Sequence, residues 1–233
     1  MAEQFERAAA GETEQPFAMV MLPDTPDSRL FVELSSYAAD LVEARHAVDL
    51  AIRGLAQDSP LAEATQPLIG QAAIAYCRTV LPSNVRGRLT NHIEIPSHLA
   101  EVHEQVRIYR NATVAHSQSE LAVTYAVGVV EAETLNVRDV MATTVIVPLP
   151  EHLIHEFHGL IDSVEHLLDQ AIEPVRNRLK RMLAEMTHSE IVTLADPQIS
   201  EKWTREFDPN TKRAPYPAGH TLYWDRTHDI NRS

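Results

Sequence analysis

The spacing of apolar residues changes from helical to strand-like and back along this chain, and that order most constrains its fold. Four segments carry apolar residues at intervals of three and four, which places them on one face of a helix. Between the third and fourth segments the interval falls to two, which is typical of a β-hairpin. The helical faces are Leu41, Ala44, Val48, Ala51, Ile52 and Leu55; Ala64, Leu68, Ala72, Ala75 and Thr79; Leu99, Val102, Val106 and Tyr109; and Leu153, Ile154, Phe157, Leu160, Ile161, Val164, Leu168 and Ala171. The sequence therefore predicts a mostly α-helical fold with an inserted β-hairpin.

Turn and capping residues set the predicted ends of the first three helices. The first helix should begin at Ser35 or Ser36, either of which suits an N-cap, and close at Gly54. The second should span about residues 61–80, and the third should begin near Pro96.

The rest of the chain is divided by composition. A hairpin is predicted at residues 120–148, followed by a long helix that Pro174 should kink or restart. Residues 1–30 are predicted to form a flexible N-terminal segment, residues 31–190 the helical domain, and residues 191–233 an irregular C-terminal tail.

Composition narrows the class of protein. Because there is one cysteine, Cys77, no intrachain disulfide can form, and a reducing cytoplasm is the expected compartment. Its mid-helix position favours a small buried residue over a catalytic thiol. The first residues do not resemble a signal peptide, and no stretch reaches the roughly 20 apolar residues of a membrane helix. The net charge of −13 argues against coating nucleic acid by bulk electrostatics.

Residues 108–116, Ile-Tyr-Arg-Asn-Ala-Thr-Val-Ala-His, most directly indicate chemistry. Composition alone predicts roughly 0.12 accidental matches to Arg-(Asn/Asp/His)-x4-His, so the match is informative. His116 can exchange a proton near neutral pH, and Arg110 can neutralise the charge that develops on a phosphate. Asn111 can orient the phosphate or the imidazole. These three residues are the predicted catalytic set.

This motif resembles the signature of the HEPN family, small helical domains many of which are metal-independent endoribonucleases. The resemblance implies a four-helix bundle that cleaves RNA without a cofactor or metal, in a toxin–antitoxin or phage-defence setting. It also implies a homodimer whose two motifs face each other across a cleft, and a neutralising antitoxin as a further partner. The alternative is a catalytically silent HEPN-like interaction protein whose hairpin and tail serve a partner.

An acid-free basic stretch precedes the motif helix. Arg78, Arg86 and Arg88 lie between residues 76 and 91 without an acidic neighbour in sequence. On a chain of negative net charge, local attraction is needed to hold a polyanion, so these arginines are predicted to bind the RNA substrate.

The fourth helix contains a competing pattern. His155, His158 and Asp162 lie three and four residues apart on one helical face, which is a spacing that can hold a transition metal. Because the apolar stripe runs along the opposite side, a solvated polar face is the favoured interpretation, and no metal site is predicted.

Overall fold

A computed structural model describes residues 19–83, 86–116, 119–210, 214 and 216–225 of the protein. It is 56% helical, with five helices and two small sheets in that part of the chain, which confirms the mostly α prediction. The chain forms two compact units, one of residues 26–180 and one that joins residues 1–25 to residues 181–233.

The first helix, α1, spans Pro26–Gly54 and begins before the predicted serine caps. Proline suits the first helical position because its missing N–H would be unpaired there, and Asp27 in the first turn favours the helix dipole. Asp27 also accepts hydrogen bonds of 2.7 and 2.8 Å from Arg178. Residues 26–30, expected to be flexible, are therefore helical, whereas residues 1–18 lie outside the described part.

Two shorter helices, α2 (Thr65–Val80) and α3 (Ala100–Tyr109), follow close to the predicted positions, each preceded by a 3₁₀ turn. Their apolar faces pack with α1 and with the fourth helix in one core. The largest fully buried side chains are Tyr37, Tyr76, Phe157, Leu34, Leu41, Ile69, Leu89, Ile154, Leu160, Ile161, Leu168 and Val48.

The predicted hairpin is present. Strands β1 (Ala122–Val130) and β2 (Val137–Ile146) pair antiparallel, with Ala122 opposite Ile146. Cross-strand pairing places valines, Tyr125 and Met141 on one face, and every residue of β2 is exposed. The hairpin therefore adds little to the buried core of residues 26–180.

The fourth helix, α4, spans Glu151–Glu185 and continues through Pro174. The prediction that Pro174 would restart the helix is wrong. Ile172 and Val175 on either side are buried, so packing holds the helical path across the proline. No helix in the described residues combines the length and apolarity needed to cross a bilayer.

The C-terminal residues contain regular structure where an irregular tail was expected. Helix α5 (His188–Val192) begins at a capping box of Thr187 and Glu190. Strands β3 (Gln198–Trp203) and β4 (Gly219–Trp224) pair in parallel. Parallel pairing needs a long crossover, and three of the four prolines that follow residue 191 belong to that connection.

Candidate functional site

The Arg-Asn-x4-His motif lies where α3 widens into a π-helical turn. This turn spans Arg110–Val114 and is closed by the Ala115 N–H, which donates to the Arg110 carbonyl at 2.9 Å. Turns with i→i+5 hydrogen bonds are rare and occur frequently at functional sites. The sequence placed the motif at a helix end, but its pattern did not indicate the wider turn.

Arg110 directs its guanidinium partly into the protein. Nη1 donates to Oδ1 of Asn111 at 2.9 Å, while Nε is buried and has no acceptor among the described residues. A buried donor without an acceptor costs about 1–3 kcal/mol, and more when it carries charge. A ligand with anionic oxygens would therefore be favoured at this guanidinium.

His116 lies in the turn that follows Val114 and is exposed. Within the described part of the chain, its imidazole makes no hydrogen bond or ion pair. Asn111 is also exposed. The structure therefore places all three predicted catalytic residues on one continuous segment, and among the described residues no hydrogen bond or ion pair joins Arg110 to His116.

A groove of about 700 Å³ runs beside the motif. The motif segment contributes Tyr109, Thr113 and Val114, and the opposite walls come from α2 and the base of the hairpin. Gln66 donates to the Tyr109 hydroxyl at 2.8 Å, yet Oε1 of Gln66 and the hydroxyl of Thr113 are buried without partners among the described residues. A largely apolar wall with a few unpaired polar atoms suits a planar organic group such as a nucleobase.

A pair of polar residues between α2 and α3 was not predicted from the sequence. The Tyr76 hydroxyl lies 2.7 Å from Nδ1 of His103. Burial lowers the pKa of His103, and the charge of Arg107 lowers it further. The spacing in the sequence could have identified His103, because it lies seven residues before Arg110 and therefore on the same helical face.

Cys77 is buried, as its mid-helix position predicted. Burial raises the pKa of its thiol to about 11, although the charges of Arg110 and Arg107 act in the opposite direction. Because the thiolate is the nucleophile, a thiol with this pKa is poorly suited to covalent catalysis.

Two of the three predicted RNA-binding arginines are paired within the protein. Nε of Arg78 lies 2.9 Å from Oδ1 of Asp40 on α1. Arg86 forms an ion pair with the same carboxylate, donates to the Ser36 hydroxyl at 2.7 Å and stacks over the Tyr37 ring at 4.6 Å. Only Arg88 is exposed without such a partner in the described part of the chain. Acidic groups distant in sequence thus neutralise a stretch that looked acid-free.

Replacing Arg86 with alanine should therefore destabilise the fold. The change removes an ion pair, a hydrogen bond and a cation–π contact from a side chain that is only 13% exposed, so we expect a loss of about 2 kcal/mol in the free energy of unfolding. Arg88→Ala is the matched control and should change stability by less than about 0.5 kcal/mol. Urea unfolding measures both, and equal effects would contradict the structural role of Arg86.

The polar face of α4 lies against α1. His158 Nε2 lies 2.9 Å from Asp49, and Arg45 of α1 pairs with Asp162 and Glu165. Among the described residues, no group of three or more His, Cys, Asp or Glu side chains has an arrangement that could hold a metal ion. The polar residues of this face therefore bridge two helices.

Comparison with known proteins yields no match to a protein-family model, to a curated protein or to a solved structure.

Proposed function

We propose that this protein is a HEPN-like, metal-independent endoribonuclease that cleaves single-stranded RNA in the cytoplasm, in a toxin–antitoxin or phage-defence setting. The observation that carries the proposal is the Arg-Asn-x4-His segment, in which a guanidinium with unpaired donors and an exposed imidazole lie on one helical segment. The helix order, with a long fourth helix after the motif helix, is consistent with a HEPN-type four-helix bundle.

The proposed reaction needs one base and one cationic group. His116 removes the proton from a ribose 2′-hydroxyl, whose oxygen attacks the adjacent phosphorus while the bond to the 5′-oxygen of the next nucleotide breaks. Arg110 donates to the phosphoryl oxygens as negative charge develops, and Asn111 holds the guanidinium through its amide oxygen. The departing 5′-oxygen takes up a proton from water, and His116 releases its proton to water, so the products are a 2′,3′-cyclic phosphate and a 5′-hydroxyl.

The geometry of one chain favours a site built from two. Arg110 and His116 are six positions apart across the π-helical turn, and no hydrogen bond or ion pair joins their side chains within the described residues. A second copy of the chain, placed with its motif opposite, would bring the Arg110 of one protomer near the His116 of the other. The exposed position of His116 leaves it accessible to such a partner.

The proposal predicts cleavage without a metal. Purified protein incubated with single-stranded RNA in EDTA should produce fragments that carry 2′,3′-cyclic phosphate and 5′-hydroxyl ends, because proton transfer and charge neutralisation come from side chains alone. End analysis by mass spectrometry distinguishes these products from 3′-hydroxyl ends. Cleavage that appears only after Mn²⁺ or Zn²⁺ is added would overturn the proposal.

A catalytically silent interaction protein is the second candidate. The apolar side chains of the hairpin support it: Tyr125, Val127 and Met141 share one face of the hairpin and are 55%, 39% and 50% exposed, and a contiguous exposed apolar surface is typical of a site that binds a protein. Intact RNA after prolonged incubation in EDTA and in metal ions alike would favour this candidate.

A further inference from the structure

Two side chains of α3 and the first side chain of the π-helical turn form a stripe that ends at the motif. His103, Arg107 and Arg110 are separated by four and three residues, the spacing that aligns side chains on one helical face. From His103 to Arg110 the helix rises about 10.5 Å, or two turns. A strand of nucleic acid that meets Arg110 and follows the helix would therefore pass Arg107 and His103.

The hydroxyl of Tyr76 determines which ring nitrogen of His103 carries the proton. Tyr76 is fully buried, and Nδ1 of His103 is the hydrogen-bond partner of its hydroxyl in the described structure. Burial raises the pKa of the phenol, so its O–H stays protonated and must donate if it is not to remain buried and unpaired. Nδ1 therefore accepts, and the neutral imidazole carries its proton on Nε2.

The Nε2 atom of His103 is available to a ligand. It has no partner within the described part of the chain, and it is not among the buried unpaired atoms there. The titratable groups that interact with the ring are Tyr76 on α2 and Glu104 and Arg107 on α3. Burial and Arg107 lower the pKa of His103, which keeps the ring neutral near pH 7.

Arg107 supplies the cationic donors of the stripe. Its Nη1 forms an ion pair with Glu104 one turn earlier. A guanidinium has five N–H donors, so the others stay available to an anion. The pairing with Glu104 is exposed, and exposed ion pairs contribute little free energy, so a phosphate can displace it.

We infer that His103 and Arg107 form a phosphate-binding subsite for the RNA strand whose scissile phosphate is held by Arg110, with Tyr76 as the positioning residue. The inference rests on the proposed ribonuclease function and extends it to a neighbouring phosphate. His103 acts as a hydrogen-bond donor and not as a base, because Nδ1 is occupied by Tyr76 and Nε2 already carries its proton. Proton transfer remains with His116.

Binding of a non-cleavable probe tests the subsite separately from catalysis. A single-stranded 2′-O-methyl RNA oligonucleotide lacks the attacking hydroxyl, and its affinity can be measured by fluorescence anisotropy over a range of salt concentrations. His103→Ala should weaken binding about five- to tenfold at every salt concentration, because a neutral donor is lost. Arg107→Ala should also reduce the slope of log affinity against log salt by about one. His98→Ala, an exposed histidine one turn before α3, is the control and should bind normally.

The tautomer provides a readout that a purely structural role would not affect. In ¹⁵N NMR spectra, His103 of the unsubstituted protein should show a protonated Nε2 and an unprotonated Nδ1. Tyr76→Phe keeps the buried ring but removes the donated O–H, so the tautomers should mix, the pKa of His103 should rise, and oligonucleotide binding should weaken about threefold. Should His103→Ala fold poorly, His103→Gln retains an amide donor and should retain part of the affinity.

Three results would overturn the subsite: no binding of the oligonucleotide, unchanged affinity in both His103 variants, or a proton on Nδ1 in the unsubstituted protein. Failure of the two proposals is distinguishable. Oligonucleotide binding that depends on His103 in a protein unable to cleave RNA would retain the subsite and reject the ribonuclease. RNA cleavage by a protein whose oligonucleotide binding does not depend on His103 would retain the ribonuclease and reject the subsite.

Discussion

Replacing His116 with alanine should lower the rate of RNA cleavage about 10²- to 10⁴-fold, the range that a general acid or base contributes. The stability of the protein should change by less than about 0.5 kcal/mol, because His116 is exposed and makes no hydrogen bond or ion pair in the described part of the chain. Single-turnover cleavage of a labelled RNA in EDTA measures the first effect, and urea unfolding measures the second.

His46→Ala is the matched control, because His46 is also an exposed histidine but lies on α1 outside the motif. It should leave both quantities unchanged. If His116→Ala retains full activity while the RNA is still cleaved without metal, the assignment of the base to His116 is wrong.

If each site is shared between two protomers, two inactive variants should restore activity when they form mixed dimers. Inactive Arg110→Ala and His116→Ala proteins, unfolded together and refolded as a mixture, should recover about a quarter of the original activity. Half of the random dimers are mixed, and each mixed dimer has one site with both residues intact. Recovery should be absent if both residues of a site come from the same chain.

Replacing Phe157 with alanine should produce the largest loss of stability, about 3–5 kcal/mol. Phe157 is fully buried on α4, and its ring packs edge-on against Tyr76 with centroids 5.6 Å apart. Removing it leaves a cavity where α2 and α4 meet and also deletes an aromatic contact. We expect a decrease of about 10 °C in the melting temperature for a chain of this length.

Ile108→Ala is the control for this prediction. Ile108 is an apolar residue of α3 that is 56% exposed, so its truncation creates no cavity and should cost less than about 0.5 kcal/mol. Circular dichroism during thermal unfolding compares the two variants. A melting temperature for Phe157→Ala close to that of Ile108→Ala would show that α4 does not pack on α2 as described.

The helical part of the fold was predictable because its signal is local. On α4 the predicted face includes Ile154, Phe157 and Leu160, and all three are buried. Any chain segment with this spacing gains free energy by turning those residues toward a core, whatever its partners are. The hairpin was also predictable from a local pattern, because its alternating residues lie in β1 and β2 as predicted, although they are largely exposed.

The ends of elements were less predictable where distant residues decide them. Helix α1 starts at Pro26 and not at the serines, and its first turn is tied to Arg178, which lies 151 residues away in sequence. Likewise, the buried neighbours of Pro174 keep α4 continuous across a residue that would interrupt an isolated helix.

For the candidate site, the sequence by itself determined the motif, because Arg110, Asn111 and His116 lie within one short segment. The composition of the whole chain makes an accidental match to this motif uncommon. Only the tertiary structure decided which of the surrounding side chains are neutralised by an ion pair and which are hydrogen-bonded. Arg86 is neutralised by Asp40 from 46 residues away, and the ring of His103 is hydrogen-bonded to Tyr76 from 27 residues away. Charge and protonation depend on what lies within a few ångströms in space, and folding brings those neighbours from helices far apart in the chain.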